Sequence, residues 1–151
     1  ILFVLQNEDF SWSYESNQAN KDFDLICTIY ANQALSKISF QKSKWINSNN
    51  HILNQISEDG EISDSNFIKV IALKFLLQLP LEDSKKAQPK INKLIRVLIE
   101  NQQSNGGFTL STKSAQNERV NLPVTSYVAS AFKECIYANI ETKKCLKVIY
   151  N

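Results

Sequence analysis

Hydrophobic side chains recur at every third or fourth position along nearly the whole chain, which is the spacing of one face of an α-helix. In the clearest stretch, from Asp22 to about Ile38, the apolar positions are Phe23, Ile26, Cys27, Tyr30, Ala31, Ala34, Leu35 and Ile38. The chain has only three glycines and three prolines, which leaves few residues for hairpin turns between strands. The pattern therefore predicts an all-α protein.

The middle of the chain predicts two more helices of different character. One runs from near Ser43 to Gly60 and has a thin apolar stripe. The other can be capped by Asp64 or Ser65, ends at Pro80 and is apolar on nearly every face. We expect this third helix to be buried almost all round.

The second half of the chain continues the helical spacing. Residues Leu81 to Lys86 are predicted to form a charged connection to a helix with Pro89 in its first turn. That helix ends at Gly106, and the polar stretch from Thr109 to Asn121 is predicted to be a loop and the most mobile segment. Pro123 can begin another helix.

A last helix is predicted from Glu141 to Tyr150, running to the end of the chain. The helical spacing also selects a core. We expect the following side chains to be mostly buried: Tyr30, Ala34, Ile68, Ile71, Phe75, Leu98, Tyr127 and Ala131.

A short pattern recurs three times and indicates a repeat architecture. Each copy has an apolar pair, an Asx residue after five positions, and a large apolar residue three positions later. The Asx residues are Asp9, Asp59 and Asn105, and the apolar residues that follow them are Trp12, Ile62 and Phe108. The copies are separated by 50 and 46 residues, which is long enough for a pair of helices.

Each copy is predicted to be an Asx turn after a helix, with the large apolar side chain packed under it against that preceding helix. Gly60 and either Gly106 or Gly107 stand where such a turn requires a positive φ. The first copy has Phe10 instead of glycine, so we expect its turn to be built differently.

A helix that ends in Gln and is followed by Asp-Gly or by Asn-Gly-Gly-Phe resembles the repeat punctuation of α/α toroids. Families with that fold include terpenoid cyclases, protein prenyltransferase β-subunits, cobalamin carriers and the thioester domain of alpha-macroglobulin and complement proteins. The resemblance implies a closed ring of helical hairpins, of which this chain would supply about three. An open solenoid of helix pairs is the alternative arrangement.

The thioester domain is the family that the chain resembles most. The segment Gln55 to Gly60 is similar to that domain's Gln-x-x-Asp-Gly-x-Phe turn, and Trp45-Ile46 stands where the family has a Trp-Leu pair. The segment Asp9 to Tyr14 resembles its aromatic, serine-rich turn. Val124 to Ala131 resembles its Thr-Ser-Tyr-Val helix, and Lys147 to Ile149 falls where the following helix should begin.

This resemblance implies one partial toroid domain, residues 1–151, that belongs to a longer, secreted defence protein. It also implies protease trapping or surface opsonisation through contacts with proteases, receptors or target surfaces. Two alternatives remain: a binder of a small molecule of the cobalamin or isoprenoid type, and an intracellular helical-repeat scaffold. The absence of methionine and the apolar start at Ile1 also indicate a fragment.

The cysteines do not fit the reactive chemistry of the resembled family, which needs a Cys-Gly-Glu-Gln run. Cys27, Cys135 and Cys145 all stand in other contexts, and the single histidine, His51, is at the wrong place in the repeat. We therefore assign no catalytic residue and predict that the chain is not an enzyme. Either Cys135 and Cys145 form a disulfide or all three cysteines are small buried side chains.

Metal and cofactor sites are not predicted either. Asp24 and Cys27 share a helical face as two zinc-type ligands would, but no histidine follows to complete a site. An acidic cluster near the second turn is interpreted as solvated carboxylates at a turn and a helix start. The cluster consists of Glu58, Asp59, Glu61 and Asp64.

Composition narrows the remaining classes of function. The net charge is +2, with 43% hydrophobic and 21% charged residues, which lacks the basic excess of a nucleic-acid-binding protein. A basic stretch from Lys85 to Arg96 has no interleaved aromatic residues and is interpreted as a solvated helix face. No apolar run approaches the roughly 18 residues needed to span a bilayer.

Overall fold

The computed structural model of the chain describes residues 6–13, 21–37, 42–112 and 119–137. Five α-helices lie in these ranges, and no strand does. The helices are α1 (Lys21–Lys37), α2 (Lys42–Gln55), α3 (Asn66–Leu77), α4 (Leu81–Glu100) and α5 (Leu122–Tyr137). The all-α prediction is confirmed. The predicted helix from Glu141 to Tyr150 lies outside the described residues.

The chain divides into two compact units, Ile1–Ser57 and Glu58–Asn151. In the first unit, α1 packs against α2. In the second, α3 packs against both α4 and α5.

Helix α3 is the centre of the second unit. Its side chains are buried on nearly every face, as its apolar sequence predicts, and the buried set includes Ile68, Ile71 and Phe75. The Ser65 side chain accepts a hydrogen bond from the backbone N–H of Ile68, so Ser65 is the N-cap. A helix packed on two sides has no solvent-facing stripe, which explains the missing polar face.

Helix α4 begins earlier than predicted. The segment from Leu81 to Lys86 is helical and not a connection, and Pro89 lies inside the helix rather than in its first turn. Glu82 and Asp83 occupy the first turn, where negative charge favours the helix N-terminus. The charges that suggested a solvated connection therefore stabilise a helix start.

Helix α1 turns a different face inward from the one predicted. Its buried residues are Leu25, Thr28, Ile29, Asn32 and Leu35. Tyr30 and Ala34, expected in the core, are exposed, and so is Tyr127 on α5. The other five predicted core residues are buried: Ile68, Ile71, Phe75, Leu98 and Ala131.

Two polar side chains account for part of the rotation of α1. Asn32 Nδ2 donates a hydrogen bond to Asn49 Oδ1 of α2 over 2.9 Å, and both residues are buried. Ser48, one residue before Asn49, is buried as well. The bond between Asn32 and Asn49 joins α1 to α2 through buried polar groups, whereas Asn49 Nδ2 and Ser48 Oγ are buried without a hydrogen-bond partner among the described residues.

Candidate functional site

The first copy of the repeated pattern, turn 1, is a tight backbone loop closed by an Asx turn. The backbone N–H of Asn7 donates to the carbonyl oxygen of Ser11 over 2.9 Å, and that of Phe10 donates to Asn7 over 3.0 Å. The Asp9 carboxylate accepts from both the amide and the hydroxyl of Ser11. The Gln6 side chain donates to the carbonyl of Phe10 over 3.1 Å.

The third copy, turn 3, repeats the backbone bonds, the Asx bond to the amide and the glutamine bond of this arrangement. The N–H of Gln103 donates to the carbonyl of Gly107 over 2.9 Å, and that of Gly106 donates to Gln103 over 2.8 Å. Asn105 Oδ1 accepts from the N–H of Gly107 over 3.1 Å. Gln102 Nε2 donates to the carbonyl of Gly106 over 2.8 Å, as Gln6 does in turn 1. The predicted repeat is therefore present in the backbone as well as in the sequence.

All three copies have a positive φ at the residue after the Asx position. The angle is 68° at Phe10, 88° at Gly60 and 81° at Gly106. The prediction is confirmed for the two glycines. The expectation that Phe10 requires a different turn is wrong, since the hydrogen bonds around Asp9 hold a phenylalanine in the left-handed region.

The large apolar residue of turns 1 and 3 is fixed to the helix that follows the turn. The backbone N–H of Trp12 donates to Thr28 Oγ1 over 2.9 Å, and that of Phe108 donates to Thr125 Oγ1 over 3.0 Å. Each threonine hydroxyl also donates to the carbonyl four residues earlier in its helix. Trp12 and Phe108 are both buried. These threonines define equivalent positions on α1 and α5.

The prediction that Trp12 packs against the preceding helix concerns residues that lie outside the described ones. Trp12 and Leu35 of the following helix α1 form a buried cluster, and Cys27 and Ala31 of α1 and Ile46 of α2 pack against that cluster. Ile62 of the second copy is only half-buried.

The second copy, turn 2, is held by a buried lysine. Lys69 is fully buried, and its ammonium donates to the carbonyl of Ser63 and pairs with Glu61 Oε2 over 2.7 Å. Ser65 and Asn121 cap α3 and α5 through the same i to i+3 bond. Lys69 therefore occupies the position on α3 that Thr125 occupies on α5.

Asn66 connects the start of α3 to the segment after turn 3. Its Nδ2 donates to the carbonyl of Thr109 over 3.0 Å, and its Oδ1 accepts from Asn101 over 3.1 Å. The Thr112 amide and hydroxyl both donate to the carbonyl of Asp64. The start of the predicted loop is thus hydrogen-bonded to the start of α3. Residues 113–118 lie outside the described residues.

A surface cluster lies where α3 and α5 meet. The rings of Phe67 and Tyr127 are 5.6 Å apart with an interplanar angle of 73°, an edge-to-face contact. Lys74 Nζ lies 5.7 Å from the centre of the Tyr127 ring, bonds Ser130 and pairs with Glu134, both over 3.0 Å. Both helices advance in the same direction along these contacts, so α3 and α5 are parallel neighbours.

Asp24 and Cys27, the two-ligand pattern on α1, interact electrostatically in the structure. Burial, and then the nearby Asp24 carboxylate, raise the pKa of the Cys27 thiol above its ordinary value. A raised pKa disfavours the nucleophilic, metal-binding thiolate. In the part of the chain that the structure describes, no three His, Cys, Asp or Glu side chains group as a metal site.

The single histidine lies beside turn 1. His51 Nδ1 is 3.8 Å from Asp9 Oδ2. The hydrogen bond from the Ser11 hydroxyl, opposed by burial and helped by the Ser11 amide and by His51, lowers the pKa of the Asp9 carboxyl. His51 therefore belongs to the packing around a turn, which its repeat position alone did not indicate.

Two carboxylates of the predicted acidic cluster pair with lysines. Glu58 lies 3.7 Å from Lys93 Nζ, and Glu61 pairs with Lys69. Lys93 belongs to the basic stretch of α4, so part of that stretch neutralises the second turn. The cluster is a charged boundary of turn 2, in agreement with the interpretation as solvated turn carboxylates.

No protein-family model, curated protein or solved structure matches this chain in the comparisons made. Among the helices within the described ranges, none is long and apolar enough to cross a membrane. The residues above therefore carry the functional argument by themselves. They are the equivalent turns 1 and 3, turn 2 with the same positive φ, the side chains that hold these turns, and the surface that α5 presents.

Proposed function

We propose that this chain is a segment of an α/α toroid of the thioester-domain kind and acts as a protein-contact module. In this proposal it belongs to an extracellular defence protein of the alpha-macroglobulin and complement superfamily. Its partners are proteases, receptors or target surfaces. It works through contact surfaces, and it forms no bond with its partners through its own cysteines.

The observation that carries the proposal is the equivalence of turns 1 and 3. Both close with the same backbone bonds and lead into a helix whose threonine accepts the amide of the buried aromatic residue. Stacked helix pairs joined by such turns are the building unit of toroids and solenoids. The parallel packing of α3 and α5 supports this, because in a toroid the first helices of successive pairs lie side by side.

The contact surface that we assign is apolar and flanks turn 3. Leu122 is 73% exposed and Leu110 is 52% exposed. The two residues lie beside the backbone bond in which Asn121 donates to the carbonyl of Phe108. Large exposed side chains fixed on a rigid turn resemble the anchors of protein interfaces.

Binding to proteases tests the proposal directly. The chain is immobilised and exposed to catalytically inactivated serine, cysteine and metalloproteases, and binding is followed by biolayer interferometry. We expect saturable binding to at least one of them, with an affinity lowered about tenfold or more by Leu122→Asp. Asn54→Asp, which adds the same charge at an exposed position of α2, is the matched control.

Absence of binding to all three protease classes would contradict protease trapping. Equal binding by Leu122→Asp and the unchanged chain would contradict the assigned surface. Far-UV circular dichroism of each variant verifies that its helices are intact.

A further inference from the structure

One face of α1 is apolar and uncovered. Phe23 is 57% exposed and Tyr30 is 50% exposed, and Ala34 one turn further along is exposed as well. These residues lie on the helix side opposite Thr28 and Asn32, which are buried. We call the surface formed by Phe23, Tyr30, Ala34 and Lys37 the α1 face.

The corresponding face of α5 contacts α3, although Tyr127 is 42% exposed. Thr28 and Thr125 make the same two hydrogen bonds, so they align the two helices residue by residue. In that alignment several apolar residues of α1 meet apolar residues of α5, although the buried Ile29 meets the exposed Ser126. The pairs are Cys27 with Val124, Tyr30 with Tyr127, Ala31 with Val128, Ala34 with Ala131, and Leu35 with Phe132.

Helix α3 packs against α5, where all these residues except Tyr127 are buried. The Tyr127 ring contacts Phe67 edge to face, and Lys74, seven residues later on α3, bonds Ser130 and pairs with Glu134. On α3, an aromatic residue and a charged residue two turns later therefore contact this face of α5. On α1 the position of Phe67 has no occupant among the described residues of the first unit.

The charge at the far end of the face is reversed on α1. Glu134, the carboxylate that pairs with Lys74, aligns with Lys37, and Ser130 aligns with Gln33. Lys37 is exposed in the last turn of α1. If a helix packed on α1 carried a lysine where α3 has Lys74, that lysine would be repelled by Lys37. A carboxylate at the same position would form an ion pair with Lys37.

We propose that the α1 face binds a helix from a further repeat of the same kind, parallel to α1 as α3 is to α5. This helix carries an aromatic side chain against Tyr30 and, seven residues later, an acidic side chain against Lys37. The aromatic contact supplies burial, and the acidic residue selects the correct partner and register. The inference rests on the alignment of α1 with α5 and on the repeat arrangement proposed above, and it is independent of the defence role.

Two helical peptides and the full chain test this inference. Both peptides have the α3 sequence, Asn66–Leu77, with a charged tail for solubility and an i, i+4 side-chain bridge away from Phe67 and Lys74. One keeps lysine at position 74, and the other has Lys74→Glu. Binding of each labelled peptide to the chain is measured by fluorescence anisotropy at low salt.

We expect saturable binding, with the Lys74→Glu peptide about two- to fivefold tighter than the lysine peptide, as suits an exposed charge pair. Lys37→Glu in the chain should reverse that order. Tyr30→Asp should weaken both peptides about tenfold or more. Ser36→Asp, at an exposed position away from the α1 face, should change neither affinity.

Four results would overturn the inference. Three concern the peptides: equal binding of a scrambled peptide, an unchanged affinity in Tyr30→Asp, and a preference for the Lys74→Glu peptide that survives Lys37→Glu in the chain. A chain that dimerises in sedimentation experiments and becomes monomeric with Tyr30→Asp would identify a second copy as the occupant, and would also overturn it. Protease binding through Leu122 is unaffected by any of these outcomes, so the two proposals fail separately.

Discussion

Phe10 shows how side-chain bonds can hold a residue in a conformation that its own sterics disfavour. Its φ of 68° lies in the left-handed region, where the equivalent Gly60 and Gly106 lie at 88° and 81°. For a residue with a Cβ, this region costs about 1–2 kcal/mol. The Asp9 carboxylate, which accepts two bonds from Ser11, offsets that cost. Glycine at this position is therefore favourable but not required.

Substitutions at the equivalent positions of turns 1 and 3 test this explanation. Phe10→Gly should raise the free energy of unfolding by about 1 kcal/mol, because the strain is removed and the exposed ring contributes little packing. Gly106→Ala should lower it by about 1–2 kcal/mol. Urea denaturation measures both. Tryptophan fluorescence suits Phe10→Gly, since both tryptophans lie in the first unit. A less stable Phe10→Gly variant would show that the ring packs usefully.

Acid should weaken turn 1 through Asp9. The folded-state pKa of this carboxyl is lowered below 3.8, mainly by the hydrogen bond from the Ser11 hydroxyl. Its stabilising contribution is thus present above the unfolded pKa and is lost as the pH falls through the folded pKa. Asp9→Asn keeps an Asx acceptor, as Asn105 does in turn 3, but has no charge to lose.

We expect the difference in stability between the unchanged chain and the Asp9→Asn variant to become smaller as the pH falls. Urea midpoints from tryptophan fluorescence should favour the unchanged chain at neutral pH, and this advantage should disappear well below pH 3.8. A constant difference across that range would mean that the Asp9 charge makes no contribution to turn 1.

For the helices, the spacing of apolar residues predicted where a helix lies in the sequence better than which of its faces is buried. The helical periodicity of α3, its cap at Ser65 and the helix after Asn121 are local features, and the structure confirms them. The inward face of α1 depends instead on its neighbours. Its apolar stripe is present, but Thr28 and Asn32 are buried, because Thr28 accepts a hydrogen bond from the Trp12 amide and Asn32 donates one to Asn49. Periodicity identifies an apolar stripe without indicating what covers it.

The turn-holding residues were the part of the site that sequence patterns missed. The Thr-x-Tyr spacing recurs at Thr28 and Thr125, but only the fold shows that these hydroxyls hold the turns. Lys69 had no such signal, because a lysine in an apolar helix does not resemble a threonine. A buried ammonium is tolerated here because it bonds Ser63 and Glu61.

Removing the threonine hydroxyls should loosen the link between turn and helix. Thr28→Val and Thr125→Val leave the amide of Trp12 or Phe108 without its acceptor, so each should cost about 1–3 kcal/mol of unfolding free energy. Thr125→Ser keeps the hydroxyl and should cost clearly less. Urea denaturation and amide hydrogen exchange at the two aromatic residues measure the effect. Unchanged exchange at Phe108 in Thr125→Val would contradict it.

Phe75 tests the packing of α3. It is buried in the helix that contacts both α4 and α5, so Phe75→Ala should cost about 3–5 kcal/mol. Thermal unfolding followed by far-UV circular dichroism provides the measurement. Phe67→Ala, which truncates a half-buried ring of the same helix, should cost less. If the thermal midpoint of Phe75→Ala lay within a degree of that of the unchanged chain, Phe75 would not be packed in the core around α3.

At the scale of the whole molecule, several aligned positions of α1 and α5 differ in exposure. Ala34 is exposed on α1, whereas the aligned Ala131 of α5 is buried, although Tyr30 and the aligned Tyr127 are both exposed. Conversely, Leu122 is 73% exposed, whereas the aligned Leu25 of α1 is 6% exposed. Equivalent helices of a repeat acquire different surfaces when each has neighbours on a different side. Among the described residues, α1 exposes Phe23 and Tyr30, and α5 exposes Leu122 and Tyr127.

This division predicts how the chain binds a hydrophobic dye. The full chain should increase the fluorescence of anilinonaphthalene sulfonate more than a compact control protein of similar size, because apolar patches above a few hundred Å² bind such dyes. Phe23→Lys with Tyr30→Lys should remove one part of the signal, and Leu122→Lys another. The two losses should add, since the patches lie on separate helices. Ser36→Lys should leave the signal unchanged. If all the variants kept the full signal, the dye would be binding elsewhere, and α1 and α5 would not present the apolar faces that their alignment assigns to them.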